Sequence, residues 1–135
     1  MINEEKHMVD KRYVIERFET HIVGNPWKNW VFIVLYSEDG LQGFGEVALN
    51  GFTLTTEMAI KELQRYFIGR SAFDVESIRR DMLLSVYSDG GQIHRGATAA
   101  VEAACWDLIG KALNQPVYNL QGGRSRDSIR LYANG

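Results

Sequence analysis

The chain has 135 residues, 45% hydrophobic and 24% charged, the make-up of one ordinary globular domain with room for a buried core. Its 15 basic and 17 acidic residues leave a formal charge of −2, which offers no broad footprint for nucleic acid or an acidic membrane. The single cysteine, Cys105, excludes an internal disulfide and reads as a buried thiol of a reducing cytoplasm. No run reaches the ~18 apolar residues of a membrane span.

Residues 1–11 contain no apolar stretch of the kind a secretory signal needs, and a flexible lead-in is expected there. Tyr13 to Thr20 alternates polar and apolar residues, the pattern of a first strand. His21 to Asn29 breaks that alternation with Gly24, Asn25 and Pro26 and reads as a loop. Trp30 to Tyr36, WVFIVLY, is seven β-formers in a row, as expected of a strand covered on both faces. Asp39-Gly40 signals a hairpin turn. Leu41 to Leu49 then returns as a third strand, in which Gly43 and Gly45 either loosen the strand or admit a close backbone approach. The first half is therefore an antiparallel three-stranded meander.

Asn50 to Leu54 reads as a second loop, and helices follow. Ala59, Ile60, Leu63, Tyr66 and Phe67 share one helical face, with Gly69 as the stop. A second helix starts at Asp74 as N-cap, with Phe73 placed to staple against Ile78 and with Val75, Ile78, Met82 and Val86 as its buried edge. The third and longest helix starts between His94 and Ala97. Val101, Ala104, Cys105, Leu108, Ile109 and Ala112 form its apolar stripe, flanked by small residues that let another element come close. Pro116 ends it and opens a short helix at its first turn, and Gly122-Gly123 forms the exit. Ile129 to Ala133 alternates as a last strand without a partner in this scheme, so it frays or pairs outside the sequence. Strands first and helices after give an α+β domain: a three-stranded antiparallel meander followed by a helical bundle.

Several residues invite a chemical reading. Gly43-Phe44-Gly45-Glu46-Val47-Ala48 fits G-x-G-x-x-A, but Leu49, Asn50 and Gly51 intervene before any helix. A phosphate site needs the helix to open directly, so the hairpin reading is preferred. Glu46 and Asp107 are the carboxylates to consider for acid–base work, and the structural reading is preferred for both: Glu46 bonding to backbone at a strand end, Asp107 bordering the buried helix. His94-Arg95 reads as a loop pair ahead of the long helix. The histidines His7, His21 and His94 share no ligand spacing with each other or with Cys105, so neither metal ligands nor catalytic residues are expected in this chain. The best functional candidates are the loops. Asn25-Pro26-Trp27-Lys28-Asn29 offers an apolar plane, a cation and two amides, a suitable kit for a small hydroxylated carboxylate.

The segment AAVEAACWDLIGKALNQPVYNLQGGRSRD resembles the end of the N-terminal capping domain in the mandelate racemase and muconate lactonizing branch of the enolase superfamily. The pairs Trp106-Asp107 and Gly110-Lys111, the Pro116-Val117-Tyr118 turn and the Gly122-Gly123 hinge follow the family's order and spacing, and EDGLQGFGEV resembles its glycine-rich hairpin. The resemblance covers roughly Arg12 to Gly135 and, as a set of linked motifs, is specific.

It implies a lead-in over 1–11, a capping domain over 12–123, and over 124–135 a connector and first strand of a (β/α) barrel that would begin where this chain stops. It also implies that the two loops fold over the barrel mouth and help select substrate. By position, that singles out Trp27 and Lys28 in the first, with Asn25 beside them, and Asn50 and Phe52 in the second. Asn134 would stand at the C-terminal end of the barrel strand, where barrel active sites are built. The whole enzyme would remove the proton α to a carboxylate with Mg²⁺ as cofactor. Loss of a β-hydroxyl would then complete a sugar-acid dehydration, and racemases and cycloisomerases of the branch are the alternatives. The expected partners are a small carboxylate substrate, the missing barrel and further copies in a homo-oligomer. The chain by itself is expected to be inactive. A non-catalytic binding or assembly module, or a truncated product, are readings from another class.

Overall fold

The computed structural model describes residues 12–133, so the expected lead-in over 1–11 and the candidate Asn134 lie outside the described residues. Three strands come first: β1 (Ile15–Gly24), β2 (Asn29–Ser37) and β3 (Gln42–Val47). They form one antiparallel sheet in the order β1-β2-β3. Four helices follow: α1 (Thr53–Leu63), α2 (Val75–Leu83), α3 (Gly91–Ala112) and α4 (Val117–Leu120). The expected meander followed by helices is what the chain forms. Among the described residues, no helix is long and apolar enough to cross a membrane.

The long helix α3 is the centre of the packing. Its buried side is mostly small side chains, among them Ala97, Ala100, Ala104 and Cys105, with Val101, Leu108 and Ile109 as the larger apolar ones. On it rest the inward-facing residues of β2, namely Val31, Ile33 and Leu35, with Ile60 and Leu63 of α1, Phe67, and Ile78 and Met82 of α2. The β3 strand approaches most closely. A β-carbon on Gly45 would fall 3.1 Å from the Ala104 nitrogen, and one on Gly43 would fall 2.8 Å from Leu108 Cβ. Close approach, rather than a loosened strand, is the use of these glycines, because neither needs an unusual backbone angle.

Local differences from the sequence expectations have identifiable causes. β1 runs on to Gly24 rather than Thr20 because His21, Ile22, Val23 and Gly24 pair in register with Phe32, Val31, Trp30 and Asn29. The first loop is therefore only residues 25–28. α1 starts at Thr53 and gives way at Gln64–Tyr66 to a tighter 3₁₀ turn. Gly69 is the stop, with φ at +78° and its N–H donated to the Ile15 carbonyl at 2.8 Å. Asp74 makes no capping bond. Ser71 does that work one turn earlier, its Oγ accepting from the Phe73 N–H at 3.3 Å, and the Phe73 ring lies against Tyr13, centroids 5.4 Å apart. Pro116 sits in extended conformation as the N-cap of α4 rather than inside its first turn.

The start of α3 is the largest shift. It begins at Gly91, after Gly90 and Gly91 both adopt positive φ, and so takes in His94 and Arg95. His94 is buried instead of looped. Its Nε2 lies 3.0 Å from the Met82 carbonyl, which can only accept, and 3.2 Å from Ser85 Oγ. The imidazole thereby joins the end of α2 to the start of α3. Arg95 points outward and pairs with Asp89.

At the other end, Ile129 to Ala133 forms no strand. Ile129, Leu131 and Tyr132 are each more than three-quarters exposed. Among the described residues nothing offers this segment a ladder of donors and acceptors, so its alternation is not turned into structure.

Candidate functional site

Two connections meet at one end of the sheet. Asn25 organises the first. Its Oδ1 accepts the N–H groups of Trp27 at 2.9 Å and Lys28 at 2.8 Å, and its own N–H donates to the Lys28 carbonyl at 3.0 Å. Asparagine suits this because its side chain imitates one more peptide unit in the turn. The second connection joins β3 to α1. Gly51, with φ at +78°, turns the chain, and the Phe52 N–H closes on the Leu49 carbonyl at 3.2 Å. Phe52 then becomes the N-cap of α1, its carbonyl accepting both the N–H of Thr56 at 2.9 Å and its hydroxyl at 2.7 Å.

Between the connections lies a cleft of about 570 Å³, lined by Trp27, Lys28, Asn29, Asn50, Gly51, Thr53, Leu54 and Thr55. Of the sequence candidates it brings together Trp27, Lys28 and Asn50. Asn25 shapes the wall without lining it, its carbonyl oxygen taken up inside the turn. Phe52 is half exposed and also outside the lining. Thr53 and Thr55 were not singled out from sequence. A pair of threonines at the head of a helix is the available signal, but the loop expected over Asn50 to Leu54 takes in Thr53 and stops just short of Thr55.

Lys28 is the charged side chain of the lining. Its Nζ lies 5.3 Å from the Trp27 ring centre and 4.7 Å from that of Trp30, within reach of both ring faces. Lys28 forms no ion pair with any described residue. The opening turn of α1 carries no acidic residue, so the positive end of its backbone dipole adds to the same field. The cleft thus combines an indole plane, two amides, two hydroxyls and a cation without an ion-pair partner among the described residues.

The carboxylates weighed from sequence sit elsewhere. Asp107 Oδ2 accepts the Phe44 N–H at 2.8 Å and Lys111 Nζ at 2.7 Å, while the same Nζ donates to the Gln42 carbonyl at 2.8 Å. This pair clamps β3 to α3, as a structural role for Asp107 requires. Glu46 is exposed, opposite Phe32 in the register, and its side chain makes no hydrogen bond with another described residue. The expected backbone bond is not formed, since strand alternation turns its carboxylate to solvent. The Cys105 thiol is fully buried and pushed up to about 12 by that burial. Among the described residues, no three His, Cys, Asp or Glu side chains come together as metal ligands.

Comparison with known proteins adds a separate line of evidence. The family model for the mandelate racemase / muconate lactonizing enzyme N-terminal domain matches residues 7–122. A D-galactonate dehydratase of Variovorax paradoxus is 34% identical over 119 residues, covering 88% of this chain and 30% of that protein. The corresponding enzyme of Pectobacterium atrosepticum is 36% identical over 104 residues, covering 77% of this chain and 27% of its own. Among solved structures, an enolase superfamily member from Salmonella Typhimurium superposes with a TM-score of 0.80 at 29% identity, over 89% of this chain and 32% of that one. A mandelate racemase/muconate lactonizing enzyme from Jannaschia sp. gives 0.76 at 26% identity, over 84% and 32%. The chain therefore spans about 30% of the length of the curated relatives it matches.

Proposed function

This chain belongs to the mandelate racemase / muconate lactonizing enzyme N-terminal domain family, and from that membership we propose that it is the capping domain of a sugar-acid dehydratase. In this reading residues 12–123 are the cap, and 124–135 lead into a barrel that carries the chemistry. The observation that carries the reading is the meeting of the β1–β2 and β3–α1 connections around one cleft. A cap needs its adaptable, polar segments at one end of a rigid body, and here the α3-centred core holds both connections in place.

The contribution of these residues is binding and orientation. Trp27 presents an apolar plane to the carbon chain of a polyol, and the amides of Asn29 and Asn50 and the hydroxyls of Thr53 and Thr55 bond its hydroxyl groups. Closing the cleft over substrate removes water from it. The described residues do not provide a ligand set for the Mg²⁺ that the resemblance implies. The relatives named as D-galactonate dehydratases support dehydration over racemisation or cycloisomerisation. The exposed apolar side chains Ile129, Leu131 and Tyr132 support a partner polypeptide at the C-terminal end, the barrel in this proposal.

The purified 135-residue chain incubated with sugar acids and Mg²⁺ tests the division of labour. No dehydrated keto-acid product is expected. Measurable product would overturn the assignment of catalysis to another part of the polypeptide.

A further inference from the structure

We infer that Lys28 makes the cleft selective for a sugar acid with a second carboxylate at its far end, the end away from the carboxylate next to which the proton is removed. This rests on the capping reading and goes beyond it by naming the charge of the substrate.

Trp27 and Trp30 hold Nζ of Lys28 by their ring faces, which attracts a cation but accepts none of its hydrogen bonds in the ordinary sense. Every other side chain that lines the cleft is neutral, and Lys28 has no carboxylate partner among the described residues. In open solution water satisfies the ammonium. A closed, substrate-filled cleft excludes that water, and a buried charge without a counterion is costly. A substrate ending in a neutral hydroxymethyl group leaves this cost standing. One ending in a carboxylate removes it, and the positive end of α1 at Thr53 to Thr55 acts in the same direction.

An aldarate and an aldonate of the same carbon skeleton are the probes, titrated at equal ionic strength into the isotopically labelled chain while amide shifts are followed. The aldarate is expected to shift the amides of Lys28, Asn29, Asn50 and Thr53 to Thr55, and to bind about two- to fivefold more tightly than the aldonate, the range of an exposed ion pair. Lys28→Met is expected to weaken the aldarate more than the aldonate, whose single carboxylate the same ammonium also attracts, and so to remove the difference. Equal affinity of the two acids at the cleft overturns the role of Lys28 and leaves the cleft as a sugar-acid site. Equal displacement of the aldarate by sulfate reduces the effect to nonspecific anion binding and also overturns it. Shifts elsewhere, with none at the cleft, overturn the reading of the cleft itself.

Discussion

Gly43 of β3 lies directly against the Ala104 carbonyl of α3, with no room between them for a side chain. A β-carbon on Gly43 would lie inside contact distance of that oxygen and 2.8 Å from Leu108 Cβ, and backbone cannot swing aside as a side-chain end can. Gly43→Ala and Gly45→Ala are therefore each expected to destabilise the domain by roughly 1–3 kcal/mol or more, as overpacking does. Urea unfolding of both variants checks this. A loss below a few tenths of a kcal/mol in either would show that the strand and helix are not in backbone contact.

The same contact is secured at its rim by Asp107 and Lys111. Asp107→Ala removes the acceptor of the Phe44 N–H and the partner of Lys111. Both side chains are more than a third or about a third exposed, so water replaces much of what is lost, and the expected cost is about 1 kcal/mol. A double-mutant cycle with Lys111→Met is expected to show a coupling of a few tenths to about 1 kcal/mol. Zero coupling would remove the clamp from the account.

Glu57 gives the stability a pH dependence of known sign. Lys61, at 2.8 Å, and Thr20 Oγ1, at 2.7 Å, both donate to its Oε1 and hold the carboxyl below its ordinary value of 4.5. A carboxyl lowered in the folded state stabilises the fold above its unfolded value, and that stabilisation is lost as pH falls through the folded value. Unfolding free energy is thus expected to decline from about pH 5 downward, and Glu57→Gln is expected to flatten part of that decline. An identical slope in variant and parent would show that the bridge between β1 and α1 contributes nothing.

Cys105 reports on global opening. With its thiol buried and raised to about 12, almost none is thiolate at pH 8, and the folded chain is expected to react with an aromatic disulfide only as fast as it unfolds. Adding urea should bring the rate to that of a free thiol. Rapid reaction of the native chain would contradict the packing of α3.

Much of this fold was legible in the sequence. The unbroken run of β-formers from Trp30 to Tyr36 and the helical period of the long helix's small-residue stripe are strong local signals, and each formed the element it demands. The features without a local signal depend on contacts between distant segments. The extension of β1 to Gly24 comes from its register with β2, and no local signal outweighs the Gly-Asn-Pro run that follows Val23. His94 looked like a loop residue because a cation suits the start of a helix badly. The structure buries the ring against the Met82 carbonyl, a partner that only the packing of α2 on α3 can reveal. The site followed the same rule. Trp27 and Lys28 stand out by loop chemistry and Asn50 only by its position in the family resemblance, whereas the place of Thr53 and Thr55 in the cleft depends on where α1 begins.

The central claim, that this domain closes over chemistry housed in a barrel and helps choose its substrate, is tested most directly by a graft. Residues 12–123 would replace the matching cap of the Variovorax paradoxus D-galactonate dehydratase, 34% identical to this chain, with the isolated barrel of that enzyme as reference. The graft is expected to dehydrate a sugar acid well above the rate of the barrel alone, and its preference among sugar acids is expected to change when Lys28 or Asn50 is altered. A graft that folds, yet is as inactive as the uncapped barrel on every sugar acid tried, would contradict it.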